Sequence, residues 1–366
     1  MNSAKKLFVP WMAVLLAGVG IGLFTAIVLL MKGHYLFNAN DVLIWTLPLG
    51  GYVFFALTST GLALVASLPS VFGLTQFEVL AKRLVFLAIS TLVAAFICIG
   101  LELGSLTHMI YIMLSPNLSS PIWYMGALYS LELLFLVIKL WQMHMGDWHS
   151  IASRWLGSAS MLCGVFAALM LGSVFGLTEA RPTYFGPFIA IFSLIIAMLS
   201  GIAAIILYMN VCRWVSGACS KQADAAVNSL TRMFGFMLGL SLIFYVLKLA
   251  LASAYTRPEF ATAINFNLVL FLLIPYAMML SKRLRQMAWA KTVAPAITLV
   301  GIFAVHMQIL IGGQIRPVGP KAEGLPQVLS YFPSIWEILV IVAAVSTMLL
   351  LYTLGERWLK LDAAPE

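Results

Sequence analysis

Charged residues are scarce in this sequence: Asp, Glu, Lys and Arg together make up 9% of 366 residues. A soluble globular domain carries about a quarter of its residues as charged side chains, so this composition excludes that class. Hydrophobic residues make up 62% of the chain, and the mean hydropathy is +1.02. The alternating pattern of a membrane barrel is also lacking, and only helices or closed barrels pair every backbone amide within a bilayer. We therefore predict an all-α integral membrane protein.

Clustered metal ligands are lacking as well. Cys98, Cys163, Cys212 and Cys219 show no Cys-x-x-Cys spacing, so they give no sign of an iron–sulfur cluster, a zinc site or c-type haem attachment. A membrane b haem needs imidazoles on facing helices, and only His306 lies well inside an apolar run. We predict that this chain holds no haem, no iron–sulfur cluster and no metal.

Long apolar runs dominate the chain instead, each close to the length that spans a bilayer as a helix. The ten predicted transmembrane helices are 11–31, 44–67, 83–103, 121–142, 156–176, 187–209, 230–255, 264–281, 293–312 and 335–354. The first is too long for a signal peptide and has no small-residue cleavage site, so we expect a retained helix. We expect one polytopic domain over residues 1–366, in which helices 2–5 and 6–9 form two four-helix bundles flanked by helices 1 and 10.

The positive charges are distributed unevenly between alternate connectors. Of the 21 Lys and Arg, fifteen fall on the side of the N-terminus, Lys248 lies within a predicted helix, and five fall on the other side (Lys32, Arg181, Arg257, Arg316 and Lys321). Because basic connectors stay in the cytoplasm, we predict a multi-pass protein of the bacterial cytoplasmic (inner) membrane with both termini in the cytoplasm. The net charge of +8 then reflects topology, and we predict no nucleic-acid partner.

The stretch 100–126 concentrates ionisable and aromatic groups between the third and fourth runs. Glu102 ends one predicted helix, His108 lies in the connector, and Trp123 and Tyr124 begin the next helix. At a membrane face, Glu102 could accept protons from a lipid-soluble redox carrier, and His108 could act as a relay. Trp123, Tyr124 and Tyr52 could pack against the ring of that carrier. An ordinary interfacial belt remains the alternative for the aromatic residues, since Trp and Tyr are enriched there.

Two further ionisable residues lie within the fourth run. Glu132 falls 11 residues into the predicted helix, roughly 16 Å from its start at 1.5 Å per residue and therefore near the midplane. Lys139 lies two turns further on the same face, toward the cytoplasm. A proton path through Glu132 and Lys139 is one interpretation of this spacing. A hydrogen bond between helices for Glu132, and snorkelling for Lys139, are the alternatives.

The connector also resembles a known family. Glu102-Leu103-Gly104, followed by Ser120-Pro121-Ile122-Trp123 and then Gly126, is similar to the pattern of the NrfD/PsrC family, the quinone-interacting membrane subunits of polysulfide-reductase-type enzymes. Ten helices in two bundles resemble its longer branch. The sequence departs from the family at Pro48-Leu49-Gly50, where many long-branch members have Pro-Trp-Gly.

The resemblance implies a subunit that binds menaquinone or ubiquinone near the outer face and carries no redox centre. It implies a periplasmic ferredoxin-like iron–sulfur partner, which in turn serves a molybdopterin or multihaem catalytic subunit. The chain would be a quinol dehydrogenase or quinone reductase subunit that is not catalytic alone. Glu102 and His108 would handle protons, and the residues expected to contact the quinone are Tyr52, Ser120, Trp123 and Tyr124.

Two other classes remain open on the sequence alone. Pro48, Pro275 and Lys248 could mark the broken helices and intramembrane charge of a transporter. A structural anchor, which holds a periplasmic enzyme without quinone chemistry, is the second alternative.

Overall fold

Helices follow one another along the whole chain. The computed structural model describes residues 2–104, 109–181, 185–216, 220–253, 269–318 and 323–363, and no strand occurs among them. These residues contain nine helices long and apolar enough to cross a membrane, and one shorter apolar helix. We number them α1 Asn2–Lys32, α2 Leu47–Phe72, α3 Glu78–Glu102, α4 Pro121–His144, α5 Ile151–Gly176, α6 Phe188–Ser216, α7 Lys221–Ser253, α8 Ile274–Leu280, α9 Ala288–Gly312 and α10 Ile335–Trp358. The prediction of an all-α membrane protein is confirmed.

The short helix α8 is the irregular member of the set. A π-helical turn, Val269–Leu273, leads directly into it. The first part of the predicted eighth helix, residues 264–268, lies outside the described residues. A further short helix, Lys282–Gln286, links α8 to α9.

Two four-helix bundles form the centre of the fold. In the first, α2 packs on α3 and α5, and α4 packs on α3 and α5. In the second, α6 packs on α7 and α9, and α8 packs on α7 and α9. The bundles meet chiefly where α6 lies against α2 and α5. Both predicted bundles are therefore present.

The flanking helices α1 and α10 lie on the same side of the first bundle. Helix α10 packs on α3 and α2, and α1 packs mainly on α10. The indole of Trp11 near the start of α1 donates to the hydroxyl of Thr353 near the end of α10, at 3.2 Å. The two flanking helices therefore run antiparallel, and α10 separates most of α1 from the bundle.

Glycines allow the two bundles to approach closely where α2 meets α6. A Cβ on Gly61 would lie 1.8 Å from the carbonyl oxygen of Ala197, and a Cβ on Gly201 would lie 2.2 Å from the carbonyl carbon of Gly61. Small residues bring helix backbones together in this way in membrane proteins, where packing rather than water exclusion drives association. This contact fixes the first bundle against the second.

The connectors divide between two faces. Those that follow α1, α3, α5 and α9 lie at one end of the bundles, which we call the Glu102 face. The connectors that follow α2, α4, α6 and α8 lie at the other end, which we call the Lys139 face. Polar residues begin several helices: Ser150 caps α5 by accepting from the Ser153 N–H, and Ser334 and Glu337 form a capping box at α10.

Candidate functional site

Glu102 lies at the C-terminal end of α3, where its carboxylate is 8% exposed. Its Oε1 accepts the backbone N–H of Thr46 at 2.9 Å, and the Thr46 hydroxyl lies 2.8 Å from both carboxylate oxygens. Thr46 is the N-cap of α2, and its own side chain makes no capping hydrogen bond. The positive end of the α2 dipole favours a carboxylate at this position. Glu102 therefore holds a fixed place at the start of α2.

Glu337 is a second fully buried carboxylate on the Glu102 face. Its Oε1 accepts the N–H of Asn38 at 2.7 Å, and its Oε2 accepts the N–H of Leu47 at 3.3 Å and the hydroxyl of Tyr331. Burial and the hydrogen bond to Glu337 raise the pKa of Tyr331 well above its usual range. Glu102 and Glu337 thus bind the adjacent N–H groups of Thr46 and Leu47.

Gln314, just after α9, holds the same α1–α2 connector from another side. Its side-chain oxygen accepts the N–H groups of Ile44 and Trp45, both at 2.9 Å, and its amide donates to the carbonyl of Trp45 at 3.2 Å. The side chains of Glu102, Gln314 and Glu337 satisfy backbone groups of this connector, in which Phe37, Val42, Leu43 and Thr46 are buried. The backbone around Glu102 is therefore preorganised by contacts from distant parts of the sequence.

His34 begins a short turn, His34–Leu36, on the same connector and packs beside Glu102. Its ring hydrogen-bonds to the backbone of Glu102, and its Nε2 is buried with no hydrogen-bond partner among the described residues. Burial lowers the pKa of His34 below its usual range, although the Glu102 backbone and the charge of Glu337 oppose the shift. A neutral imidazole with an unpaired Nε2 can accept a proton from a bound hydroxyl group.

A small cavity beside His34 is bordered by three glycines. The cavity is lined by Leu29 and Leu30 of α1, by Gly33 and His34, and by Gly100, Leu101 and Gly104. It is no larger than a water molecule in this conformation. Gly104 has a φ of 69°, a backbone conformation that glycine adopts without strain, and it turns the chain back over His34 directly after α3.

The structure places the aromatic residues predicted to contact a quinone in two separate regions. Trp123 donates from its indole to the carbonyl of Ile112 at 2.7 Å, which ties α4 to the short helix Tyr111–Leu114. Tyr124 is exposed, and its ring lies against that of Trp123 with centroids 5.0 Å apart. Ser120 is the N-cap of α4, and its carbonyl accepts the N–H groups of Trp123 and Tyr124. His108 lies outside the described residues.

Tyr52 belongs to a different cluster, inside the first bundle. Its ring is 2% exposed and makes an edge contact with the ring of Tyr129 on α4, with centroids 6.2 Å apart. Tyr129 lies one helical turn before Glu132. The structure therefore groups Tyr52 with Glu132 and Tyr129, and it does not bring Tyr52 to Trp123 or Tyr124.

Glu132 is fully buried where α4 faces α2 and α5. The Thr60 hydroxyl of α2 lies 3.4 Å from its Oε2, and its Oε1 has no hydrogen-bond partner among the described residues. A Cβ on Gly164 of α5 would lie 2.8 Å from Oε1, so the absence of a side chain at Gly164 makes room for the carboxylate. A buried carboxylate with one oxygen unpaired is costly in a bilayer, which is unusual for a purely structural group.

Small polar residues extend from Glu132 toward the Lys139 face along facing surfaces of α2 and α5. The Ser67 hydroxyl of α2 donates to the carbonyls of Ala63 and Gly157, and the Ser160 hydroxyl of α5 also donates to Gly157. Ser67 and Ser160 are both buried. Ser153 of α5 adds a further hydroxyl group, which accepts a hydrogen bond from Lys139.

Lys139 is the last of these polar groups and lies near the Lys139 face. It is 6% exposed, and its Nζ donates to the Ser153 carbonyl at 3.0 Å and to the Ser153 hydroxyl. Ser153 in turn contacts the backbone of the α4–α5 connector, where Asp147 is half-buried. The hydrogen bond from Ser150 and the nearby positive charges lower the pKa of Asp147. Lys139 is thus held by hydrogen bonds within the protein, with its ammonium directed at this connector.

Comparison with known protein families agrees with this architecture. Residues 35–318 match the family described as polysulphide reductase, NrfD, and this range includes Glu102 and Glu132. The chain belongs to the NrfD family. The resemblance seen in the sequence is thereby confirmed. A curated relative, the Hdr-like menaquinol oxidoreductase integral membrane subunit of Archaeoglobus fulgidus, is 22% identical over 339 residues, which cover 86% of this chain and 84% of that protein.

A solved structure gives a weaker similarity. The bd oxidase from Geobacillus thermodenitrificans aligns with 87% of this NrfD-family chain and 98% of its own chain, at 17% identity and a TM-score of 0.46. Similarity at this level does not extend to ligands or activity. Within the described ranges, no group of three or more His, Cys, Asp or Glu side chains converges as a metal site would require.

The sequence alone did not identify two residues that pack around Glu102 and the start of α2, His34 and Glu337. His34 has no local signal, because it meets Glu102 only when α1 and α3 have both packed on α10. Glu337 has one: Ser334 and Glu337 have the spacing of a capping box. That signal explains the bonds of Glu337 within α10, but it does not indicate the bonds to Asn38 and Leu47, about 300 residues away.

Proposed function

We propose that this chain is the quinone-reacting membrane subunit of a respiratory oxidoreductase complex, and that His34 and Glu102 form its head-group site. The observation that carries the proposal is the buried, unpaired Nε2 of His34, whose ring is hydrogen-bonded to the backbone of Glu102, a residue with a buried carboxylate at the same membrane face. Membership of the NrfD family and the name of the Archaeoglobus fulgidus relative, a menaquinol oxidoreductase subunit, support the same class.

Quinol oxidation releases two electrons and two protons, and the protons must be accepted as the electrons leave. A neutral His34 can accept one proton at Nε2, and Glu102 supplies a carboxylate for the second. The hydrogen bonds from Thr46 keep the carboxylate in place, so little reorganisation is needed during the reaction. In this proposal the chain carries no redox centre of its own. The two electrons therefore pass to a partner subunit.

The partner in this proposal is a periplasmic ferredoxin-like iron–sulfur subunit, which passes the electrons to or from a molybdopterin or multihaem catalytic subunit. The Glu102 face would then be periplasmic and both termini cytoplasmic, as the uneven distribution of Lys and Arg supports. Menaquinone is the quinone favoured by the relative's name, with ubiquinone as the alternative.

We further propose that Glu132 and Lys139 belong to a proton path toward the cytoplasm. Thr60, Ser67, Ser160 and Ser153 place hydroxyl groups between the midplane and Lys139. The unpaired Oε1 of Glu132 supports this role over that of a satisfied interhelical hydrogen bond.

The central test uses the complex purified in mild detergent with its native partners. Quinone is extracted and measured, and reduction of the iron–sulfur partner by added quinol is followed. We expect bound quinone and quinol-dependent reduction. An assembled complex that holds no quinone and reacts with no quinol would contradict the proposal and favour a structural anchor or a transporter.

A further inference from the structure

An apolar cleft separates α1 from α3 on the lipid-facing side of the first bundle. Its volume is about 230 Å³, and it is lined by residues of α1, α3 and α10. No charged side chain lines it, and its polar residue is Thr347. The cleft is thus suited to a hydrocarbon chain and offers no partner to a charged head group.

The cleft arises from the way the helices pack. Helices α1 and α3 both pack on α10. Gly22 of α1 lies so close to Ala343 of α10 that an added Cβ would be 2.5 Å from the Ala343 Cβ. This contact draws α1 onto α10, and a gap remains between α1 and α3, bordered by Ala26 and Gly100.

The cleft continues into the space around His34. Gly100 and Leu101 line both. On α1, Ala26 borders the cleft and Leu29 and Leu30 border the His34 space, about one helical turn further toward the Glu102 face. A linear molecule with a polar head at His34 would therefore place its tail along α1, between α1 and α3.

We propose that this cleft binds the isoprenoid tail of the quinone and guides the head group from the lipid to His34 and Glu102. The inference rests on the proposed function. It commits to the quinone tail rather than to a phospholipid acyl chain, because the cleft leads to the imidazole of His34, which is hydrogen-bonded to the backbone of Glu102. A phosphate head group at that end would find no Lys or Arg side chain among the residues that line the His34 space.

The test fills the cleft from α1. Ala26→Trp places an indole in it, and the matched control Ala17→Trp adds the same side chain at an exposed position on α1. With the purified complex, KM is measured for a menaquinol that carries an isoprenoid tail and for tail-less menadiol. We expect Ala26→Trp to raise KM for the tailed quinol roughly tenfold, because the tail loses apolar burial. The KM for menadiol, and both values for Ala17→Trp, should be those of the wild type.

A second measurement does not depend on assembly of the variant. A menaquinone analogue with a photoreactive group on its tail is crosslinked to the wild-type complex, and the labelled peptides are identified by mass spectrometry. We expect the label on α1, α3 and α10. An excess of tailed quinone should prevent this labelling, and an excess of phospholipid should not. Label elsewhere, or displacement by phospholipid alone, would overturn the tail cleft, as would equal KM values for Ala26→Trp and Ala17→Trp. A wild-type complex that reacts with neither quinol would instead overturn the proposed function.

Discussion

Glu102 caps α2 through Thr46: the carboxylate at the end of one helix accepts both the N–H and the hydroxyl of the residue that begins another. The capping interaction that usually comes from a local side chain is here supplied from 56 residues away. The carboxylate is therefore part of the fold as well as of the proposed site, and the two roles must be separated by a substitution that keeps its shape.

Glu102→Gln is the first prediction. The amide keeps an oxygen to accept the Thr46 N–H, so the complex should assemble, but a proton acceptor is lost. Quinol-dependent reduction of the partner should fall by roughly 10²-fold or more, the usual contribution of a general base. Glu179→Gln, at an exposed position on the same face, is the matched control. Wild-type turnover in the Glu102 variant would remove Glu102 from the proton chemistry.

Protonation of His34 should cause the fall in quinol turnover at low pH, the acid limb of the pH profile. Burial lowers its pKa, so the imidazole is neutral at pH 7 and gains its proton only below the ordinary histidine pKa of about 6.5. Protonated His34 cannot accept a quinol proton, and turnover should therefore fall as the pH drops through that pKa. In His34→Gln, turnover should be lower at pH 7, and this limb should be absent. His144→Gln, at an exposed residue of the Lys139 face, should keep the wild-type profile. An unchanged limb in the His34 variant would contradict the assignment.

Arg181 should stabilise the fold without affecting the chemistry. Its Nη1 donates to the carbonyls of Gly313 and Arg316 at 3.0 and 2.7 Å, just after the C-terminal end of α9. Removal of the guanidinium leaves these carbonyls without a charged donor, so Arg181→Gln should lower the free energy of unfolding by about 1–3 kcal/mol. Thermal unfolding in detergent measures this, with exposed Arg154→Gln as the control. Equal stability of the two variants would show that the contacts contribute nothing.

The orientation in the membrane can be tested at Asn117, an exposed residue of the α3–α4 connector. Asn117→Cys should react with a membrane-impermeant thiol reagent added from the periplasm, provided that the partner does not cover it. His149→Cys, exposed on the Lys139 face, should react only after the cells are opened. A reporter fused after Glu366 should be active in the cytoplasm. Background from the four native cysteines is measured in the parent protein. The reverse labelling pattern would place the Glu102 face in the cytoplasm.

The fold could be predicted because each apolar run carries its own signal. Length and hydropathy locate a membrane helix without knowledge of its neighbours, and the order of helices then limits how two bundles can form. The contact between Gly61 and Gly201 could not be predicted, because glycines are common in membrane helices and only the packed structure identifies those at a helix crossing.

The candidate site was only partly predictable, for a related reason. Glu102 stands out locally as an acid at the end of an apolar run, whereas His34 reaches it through tertiary packing. Tyr52 and Trp123 look alike in the sequence, as aromatic residues near helix starts. The structure separates them because Tyr52 faces α4 in the bundle interior and Trp123 faces a connector.

The last prediction concerns Glu132, which distinguishes a simple quinone reaction from charge movement across the membrane. If Glu132 is structural, Glu132→Gln should cost no more than about 0.5–1.5 kcal/mol, the worth of a hydrogen bond, and should leave turnover unchanged. If it belongs to a path with Lys139, the same change should slow turnover or abolish the membrane potential that sealed vesicles form with quinol. We expect the second result, because Oε1 is unpaired in the bundle interior.

Gly164 provides an independent test of the same carboxylate. Gly164→Ala keeps the Glu132 carboxyl group but puts a methyl group 2.8 Å from the present position of Oε1, so the carboxyl group must move away from α5. This variant should also reduce potential formation. Gly126→Ala on α4, where the nearest atom would be at an ordinary 3.8 Å, should not. Unchanged turnover and unchanged potential in both Glu132→Gln and Gly164→Ala would leave Glu132 with the role of an interhelical hydrogen-bond partner to Thr60.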